Sequence, residues 1–124
     1  LAADSASFAD KVHFPVGVVP GDGMHAVWTM LLGPNRGRYF LMTGQEITAQ
    51  EALRLGVVGE VLPKTKLLER AWEHAHELLK KPELCLRYTR VVLTQEIKRR
   101  LLEDLSYGLM AEGLGVHALV HGSK

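Results

Sequence analysis

Apolar positions along the chain change their spacing at three places, and each change marks a different kind of element. Up to residue 20 they come in short pieces, Ser7-Phe8-Ala9-Asp10 and Val16-Gly17-Val18-Val19, broken by Asp, Ser and Pro. That pattern predicts strand ends and loops. Pro20-Gly21-Asp22-Gly23 then punctuates the chain, and Met24 to Leu32 predicts a helix closed by Gly33-Pro34. A second helix is predicted over 36–42, ending at Thr43-Gly44. Thr48-Ala49-Gln50-Glu51 reads as a capping box that opens a short helix through Leu55, and Gly56 suits the left-handed position after it. Val57-Val58-Gly59-Glu60-Val61-Leu62 predicts a buried strand stopped by Pro63.

From Lys64 the period is helical. Leu67, Leu68, Ala71, Trp72, Ala75, Leu78 and Leu79 form one apolar face, and Lys80-Lys81-Pro82 breaks that helix. A further helix is predicted over 84–93, and another over 95–112 with Ile97, Leu101, Leu102, Leu105, Leu109 and Met110 on one side. The expected division is therefore an α/β part over 1–63 and a helical part over 64–124. One strong strand cannot make a sheet, so its partners are expected outside this sequence. The opening "LAADSASFADKVHF", with no methionine, adds the expectation that an N-terminal portion precedes Leu1.

Composition narrows the class. Apolar residues make up 47% of the 124, enough for a core, and the formal net charge of +1 gives no field suited to nucleic acid or an anionic membrane. The lone cysteine, Cys85, fits a reducing compartment. No apolar run reaches the roughly 20 residues of a membrane span. With no signal-peptide pattern at the start, a cytoplasmic location is the expectation.

Candidate chemistry concentrates in "HFPVGVVPGDGMH", residues 13–25. His13 and Asp22 suit a proton-transfer pair, because an imidazole titrates near neutrality and a carboxylate on its other nitrogen fixes the tautomer. Asp22 is equally a turn or cap residue, and His13 equally a packed histidine. His25, in the first turn of the following helix, reads as structural, and becomes the rival base if His13 is buried. Glu112 alone reads as part of a solvated helix face. His117 and His121 have a metal-compatible spacing without a completing ligand, and His74 and His76 point to different faces. Gly21-x-Gly23 is too short and acidic for a phosphate loop. Lys98-Arg99-Arg100 and Lys80-Lys81 read as solvated, with phosphate contact the alternative. Cys85 reads as core.

The stretch "GVVPGDGMHAVWTMLLGPNRGRYFLMTGQEITAQEALRLGVVGEVLP" resembles the crotonase (enoyl-CoA hydratase/isomerase) superfamily, in element order and spacing as well as in its Pro-Gly-x-Gly turn. The resemblance implies an α/β fold of the ClpP/crotonase type: the last part of a spiral core of ββα units, then a helical region that builds trimers, often paired into hexamers. Seven residues before the proline of the turn, hydratases carry a catalytic glutamate; here that position is His13. With Asp22 in the turn and "NRGRYFLMTGQE" downstream, the chain is similar to the 6-oxocamphor hydrolase branch of β-diketone hydrolases, which split a carbon–carbon bond with water. The resemblance implies His13 as base, Asp22 as its orienter and Glu112 as an auxiliary acid, with no metal or organic cofactor. It places a carbonyl-binding tryptophan and a second histidine upstream of Leu1. Partners implied are a small-molecule substrate, further copies of the chain and an N-terminal half. The alternatives are a hydratase or isomerase acting on a coenzyme A thioester, and a non-catalytic trimerisation module.

Overall fold

The computed structural model describes residues 1–122. Its elements run β1 (Ala2–Ala3), β2 (Ser7–Phe8), α1 (Met24–Leu32), α2 (Pro34–Thr43), β3 (Ile47–Thr48), α3 (Ala49–Arg54), β4 (Val61–Leu62), α4 (Leu67–Leu79), α5 (Glu83–Leu93) and α6 (Gln95–His121). Short 3-10 turns occupy Phe14–Val16 and Lys64–Lys66. The boundary expected at residue 63 is not where packing divides the chain. One compact unit joins Leu1–Ser7 to Thr48–Glu96; the other joins Phe8–Ile47 to the segment from Ile97 onward.

In the first unit, β1 and β4 pair in parallel, with Ala2 opposite Val61 and Ala3 opposite Leu62. The strand expected over 57–62 is thus only its last two residues, half-buried, and its partner lies within the chain. Glycines 56 and 59 interrupt the segment ahead of it, and Gly56 takes the left-handed conformation (φ 76°). The Thr48 hydroxyl accepts from the Glu51 amide at 3.2 Å, which starts α3 as the capping box requires. Ala49 and Ala52 on α3 are fully buried, small side chains that let the helix sit close to its neighbours. Along α4, Arg70 and His74 converge on Glu60 at 2.8 Å each, and the arginine followed by the histidine holds that carboxyl down at about 2. The apolar face of α4 is not covered: Leu68, Trp72, Leu78 and Leu79 are all exposed.

The second unit holds an α1–α2 hairpin. Gly33 (φ 77°) turns the chain, and Pro34 starts α2 two residues earlier than the pattern predicts, at a position where its missing N–H costs nothing. Trp28 and Phe40 pack at 4.2 Å between ring centroids, with Leu41 and Ile47 also in the core. Gly37 lets the two helices close up, since a Cβ there would lie 2.7 Å from Thr29 Cα. Val16–Val19 form no strand, because the run opens in the Phe14–Val16 turn and Gly17 follows in the left-handed region (φ 86°). The last helix continues past the expected stop at Glu112, through Gly113 and Gly115, to His121. No described helix is long and apolar enough to cross a membrane.

One contact fixes α6 against the Pro20–Gly23 turn. A Cβ on Gly21 would fall 1.9 Å from the Gly108 carbonyl oxygen, and one on Gly108 would fall 2.3 Å from that of Gly21. The nearest atom on each side is backbone, which cannot move aside as a flexible side-chain end can. Gly108→Ala is therefore expected to destabilise the fold by about 1–3 kcal/mol through overpacking. Gly113 lies further along the same helix, and a Cβ added there would meet nothing within 4 Å. Gly113→Ala should accordingly gain up to about 1 kcal/mol of helix propensity. Thermal unfolding of the two variants measures the contrast.

Candidate active site

The loop Asp10-Lys11-Val12-His13 carries the first two side chains. Its backbone is held by the His13 carbonyl, which accepts from the amides of Val16 at 2.9 Å and Val18 at 3.1 Å. Gly44, the left-handed residue after α2, packs on the same loop, and a Cβ there would meet the Pro15 ring at 2.5 Å. Lys11 and Glu46 add an exposed ion pair. The result is a sunken pair: Asp10 is 2% exposed and His13 7%. His13 Nδ1 lies 2.8 Å from Asp10 Oδ1 and 3.0 Å from Oδ2.

Asp22 approaches the opposite ring nitrogen, and Glu112 comes near the same ring. Asp22 divides its oxygens between two tasks: Oδ1 accepts from the Met24 amide at 3.3 Å at the start of α1, and Oδ2 lies 3.5 Å from His13 Nε2. The turn reading of Asp22 is present, and the same carboxylate lies close to the His13 ring. Glu112 arrives from α6, one helical turn after Gly108. A nitrogen of His13 and an oxygen each of Asp22 and Glu112 lie within 4.8 Å of one another. The Glu112 Oε2 atom is buried without a hydrogen-bond partner among the described residues.

The electrostatics follow from this crowding. Burial by itself drives the His13 pKa down, but the Asp10 hydrogen bond and the charges of Asp10, Asp22 and Glu112 outweigh it. The net result is a histidine that titrates above its ordinary 6.5. Chemically, the site offers an imidazole nitrogen and two carboxylates to anything that brings protons on oxygen or nitrogen. The same nitrogen and two oxygens are donors of the kind that ligate divalent cations.

The structure brings together the three residues singled out in the sequence, His13, Asp22 and Glu112, and adds Asp10 beside them. Asp22, the expected orienter of His13, lies 3.5 Å from Nε2, and Asp10, which the sequence does not single out, bonds Nδ1. The signal for Asp10 is the spacing Asp10-x-x-His13, a carboxylate three residues ahead of the histidine in one loop, which a strand-end reading of residues 7–10 conceals. His13 is buried, the condition that favours His25 as the rival, yet His25 Nδ1 is engaged with the Pro20 carbonyl at 2.9 Å. Cys85 is exposed on α5, not core. It lines an apolar cavity of about 530 Å³ with Leu78, Leu86, Thr89 and Leu93. His117 and His121 stack at 4.4 Å on α6, and Lys98, Arg99 and Arg100 are solvent-exposed as expected.

Known proteins share this arrangement of elements. The family model described as Enoyl-CoA hydratase/isomerase matches residues 1–112. Among solved structures, the chain is similar to a beta-diketone hydrolase from the cyanobacterium Anabaena sp. PCC 7120 bound to (S)-3-oxocyclohexyl acetic acid. The identity is 52% and the TM-score 0.92, over 94% of this chain and 47% of that one. An enoyl-CoA hydratase/isomerase from Mycobacterium paratuberculosis aligns at 30% identity and TM-score 0.82, over 91% of this chain and 44% of that one. Among curated proteins, a carnitinyl-CoA dehydratase from Salmonella typhimurium is 36% identical over 69% of this chain and 33% of its own length. The chain thus spans about half, or less, of these relatives.

The charge arrangement predicts a titration. The His13 ring protons should titrate in NMR with a midpoint above 6.5, and Asp22→Asn should lower that midpoint by removing one of the raising charges. Because the folded state holds this proton more tightly than the unfolded chain, the linked stability is fully present below about pH 6.5 and fades as pH rises through the folded value.

Proposed function

Because the chain belongs to the enoyl-CoA hydratase/isomerase family, we propose that it forms the His13-bearing part of a family enzyme that hydrolyses the carbon–carbon bond of a cyclic β-diketone. The observation that carries this reading is the clustering of Asp22 and Glu112 about an imidazole already bonded to Asp10, with Asp22 on Nε2. An imidazole nitrogen and two carboxylate oxygens within 4.8 Å of one another suit a water molecule, which can give one proton to Nε2 and direct the other to a carboxylate. The water oxygen then attacks a ketone carbonyl, and the resulting tetrahedral adduct breaks the bond to the carbon between the two ketones. The electron pair leaves as an enolate, which takes the proton back from the His13 imidazolium. One water is consumed; a carboxylic acid and a ketone result.

Two comparisons support the choice of bond. The Anabaena hydrolase shares half its aligned residues with this chain, and the ligand bound to it is a cyclic ketone with an acetic acid arm. Hydrolytic opening of a bicyclic β-diketone gives that class of product. His13 also stands where the family resemblance places a hydratase glutamate. The second reading, hydration or dehydration of an acyl-CoA thioester, is favoured by the curated relatives, a carnitinyl-CoA dehydratase and a crotonyl-CoA hydratase from Syntrophomonas wolfei among them. The exposed apolar faces of α4 and α5 suit packing against further copies or an N-terminal half, as the family's trimers would require.

The expected result is that His13→Ala lowers cleavage of a bicyclic β-diketone by about 10²–10⁴-fold, the usual worth of a general base, while His25→Ala keeps most of the activity. Equal loss in two well-folded variants would reject His13 as the base. Turnover of crotonyl-CoA in place of the diketone would favour the second reading. A chelator should leave diketone cleavage unchanged, since no step requires a metal.

A further inference from the structure

We infer that Asp10 is a positioning residue that makes Nε2 the reacting nitrogen of His13, leaving Asp22 and Glu112 to act on the water and substrate side. The inference deepens the proposed function and rests on it for the meaning of "reacting". Its geometric basis is independent.

A carboxylate at the pH of interest only accepts hydrogen bonds, so a ring nitrogen held at 2.8 and 3.0 Å from both Asp10 oxygens must carry the proton. In the neutral ring that leaves the lone pair on Nε2, the nitrogen facing Asp22. Asp10 is almost wholly buried, so water competes little for its oxygens, and the contact spans only three residues within one loop. Asp22 is placed differently. At 45% side-chain exposure and 3.5 Å, with its other oxygen on the Met24 amide, it grips the ring poorly. When Nε2 takes a proton during attack, Asp10 meets the new positive charge at hydrogen-bond distance. A carboxylate behind a catalytic imidazole has this double effect, on tautomer and on imidazolium. The charged groups facing the ring are Asp10 from its own loop, Asp22 from the turn before α1, and Glu112 from α6.

The loop is built to keep the pair in place. The Phe14–Val16 turn folds back onto the His13 carbonyl, and Gly44 wedges against Pro15, with the Asp10 carbonyl oxygen 3.5 Å from where a Cβ would sit. The rigid part of the site is therefore the side away from the reaction.

The test reads the ring directly. Nitrogen-15 NMR of the intact protein, with the His13 signals assigned by their loss in His13→Gln, should show the neutral ring protonated on Nδ1. Protonation on Nε2 in the wild type overturns the inference whatever the substrate proves to be. Asp10→Asn keeps the shape but can offer its amide protons to the ring. It should reduce kcat about 10²-fold or more, shift the acid limb of the rate profile to lower pH, and change KM less than about twofold. Unchanged kcat and acid limb in a folded Asp10→Asn protein would also overturn it. If that variant does not fold, the wild-type tautomer decides. Because the tautomer is read without turnover, an enzyme inactive on diketones but protonated on Nδ1 refutes the substrate and keeps the positioning role.

Discussion

Two glycines in backbone contact hold the candidate site together. Gly21 lies in the turn that presents Asp22, and Gly108 lies on α6 one turn ahead of Glu112. Neither element could approach the other with a Cβ between them. The same contact involves His25, whose ring Cε1 would lie 2.6 Å from a Cβ on Gly108. His25 therefore serves the site as packing: its Nδ1 bonds the Pro20 carbonyl and its ring edge lies on the α6 backbone. The distances at Nε2 follow from this joint, since Glu112 Oε2 has no hydrogen bond among the described residues to set its position.

Around that joint the site is asymmetric. On one side, a short contact to buried Asp10 fixes the imidazole; on the other, the Asp22 carboxylate stands at longer range. Three carboxylates, Asp10, Asp22 and Glu112, stand near a single imidazole. They hold a proton on the ring more firmly than water would, against the effect of burial.

Local signals in the sequence are legible where a single element carries them. Met24–Leu32, the Thr48 cap, the Gly56 turn and the break at Lys80-Lys81-Pro82 follow from residue chemistry within a few positions, and each is present. The failures are also physical. Val57–Leu62 reads as a strand by hydrophobicity, but only its last two residues find a parallel partner, at β1, 59 residues away in sequence. Helix α6 outruns its predicted stop because glycines 113 and 115 weaken a helix without ending it. Apolar periodicity puts Cys85 in a core, yet periodicity cannot tell a face covered within the chain from one left open. At the site, family resemblance is what joins His13, Asp22 and Glu112. Asp10 requires only the three-residue spacing to His13, a signal hidden by the strand reading of its neighbours.

The separation of Glu112 from the rest of the site has a consequence for biosynthesis. Asp10, His13 and Asp22 emerge from the ribosome within thirteen residues of each other, and their loop can organise early. Glu112 follows ninety positions after Asp22, on an element that must first coil and then dock on the Gly21 turn. Contacts so distant in sequence form late in folding. An unfinished polypeptide would thus display the imidazole and its buried aspartate while lacking the third carboxylate, so the complete constellation is a property only of a chain whose last helix has been made and seated.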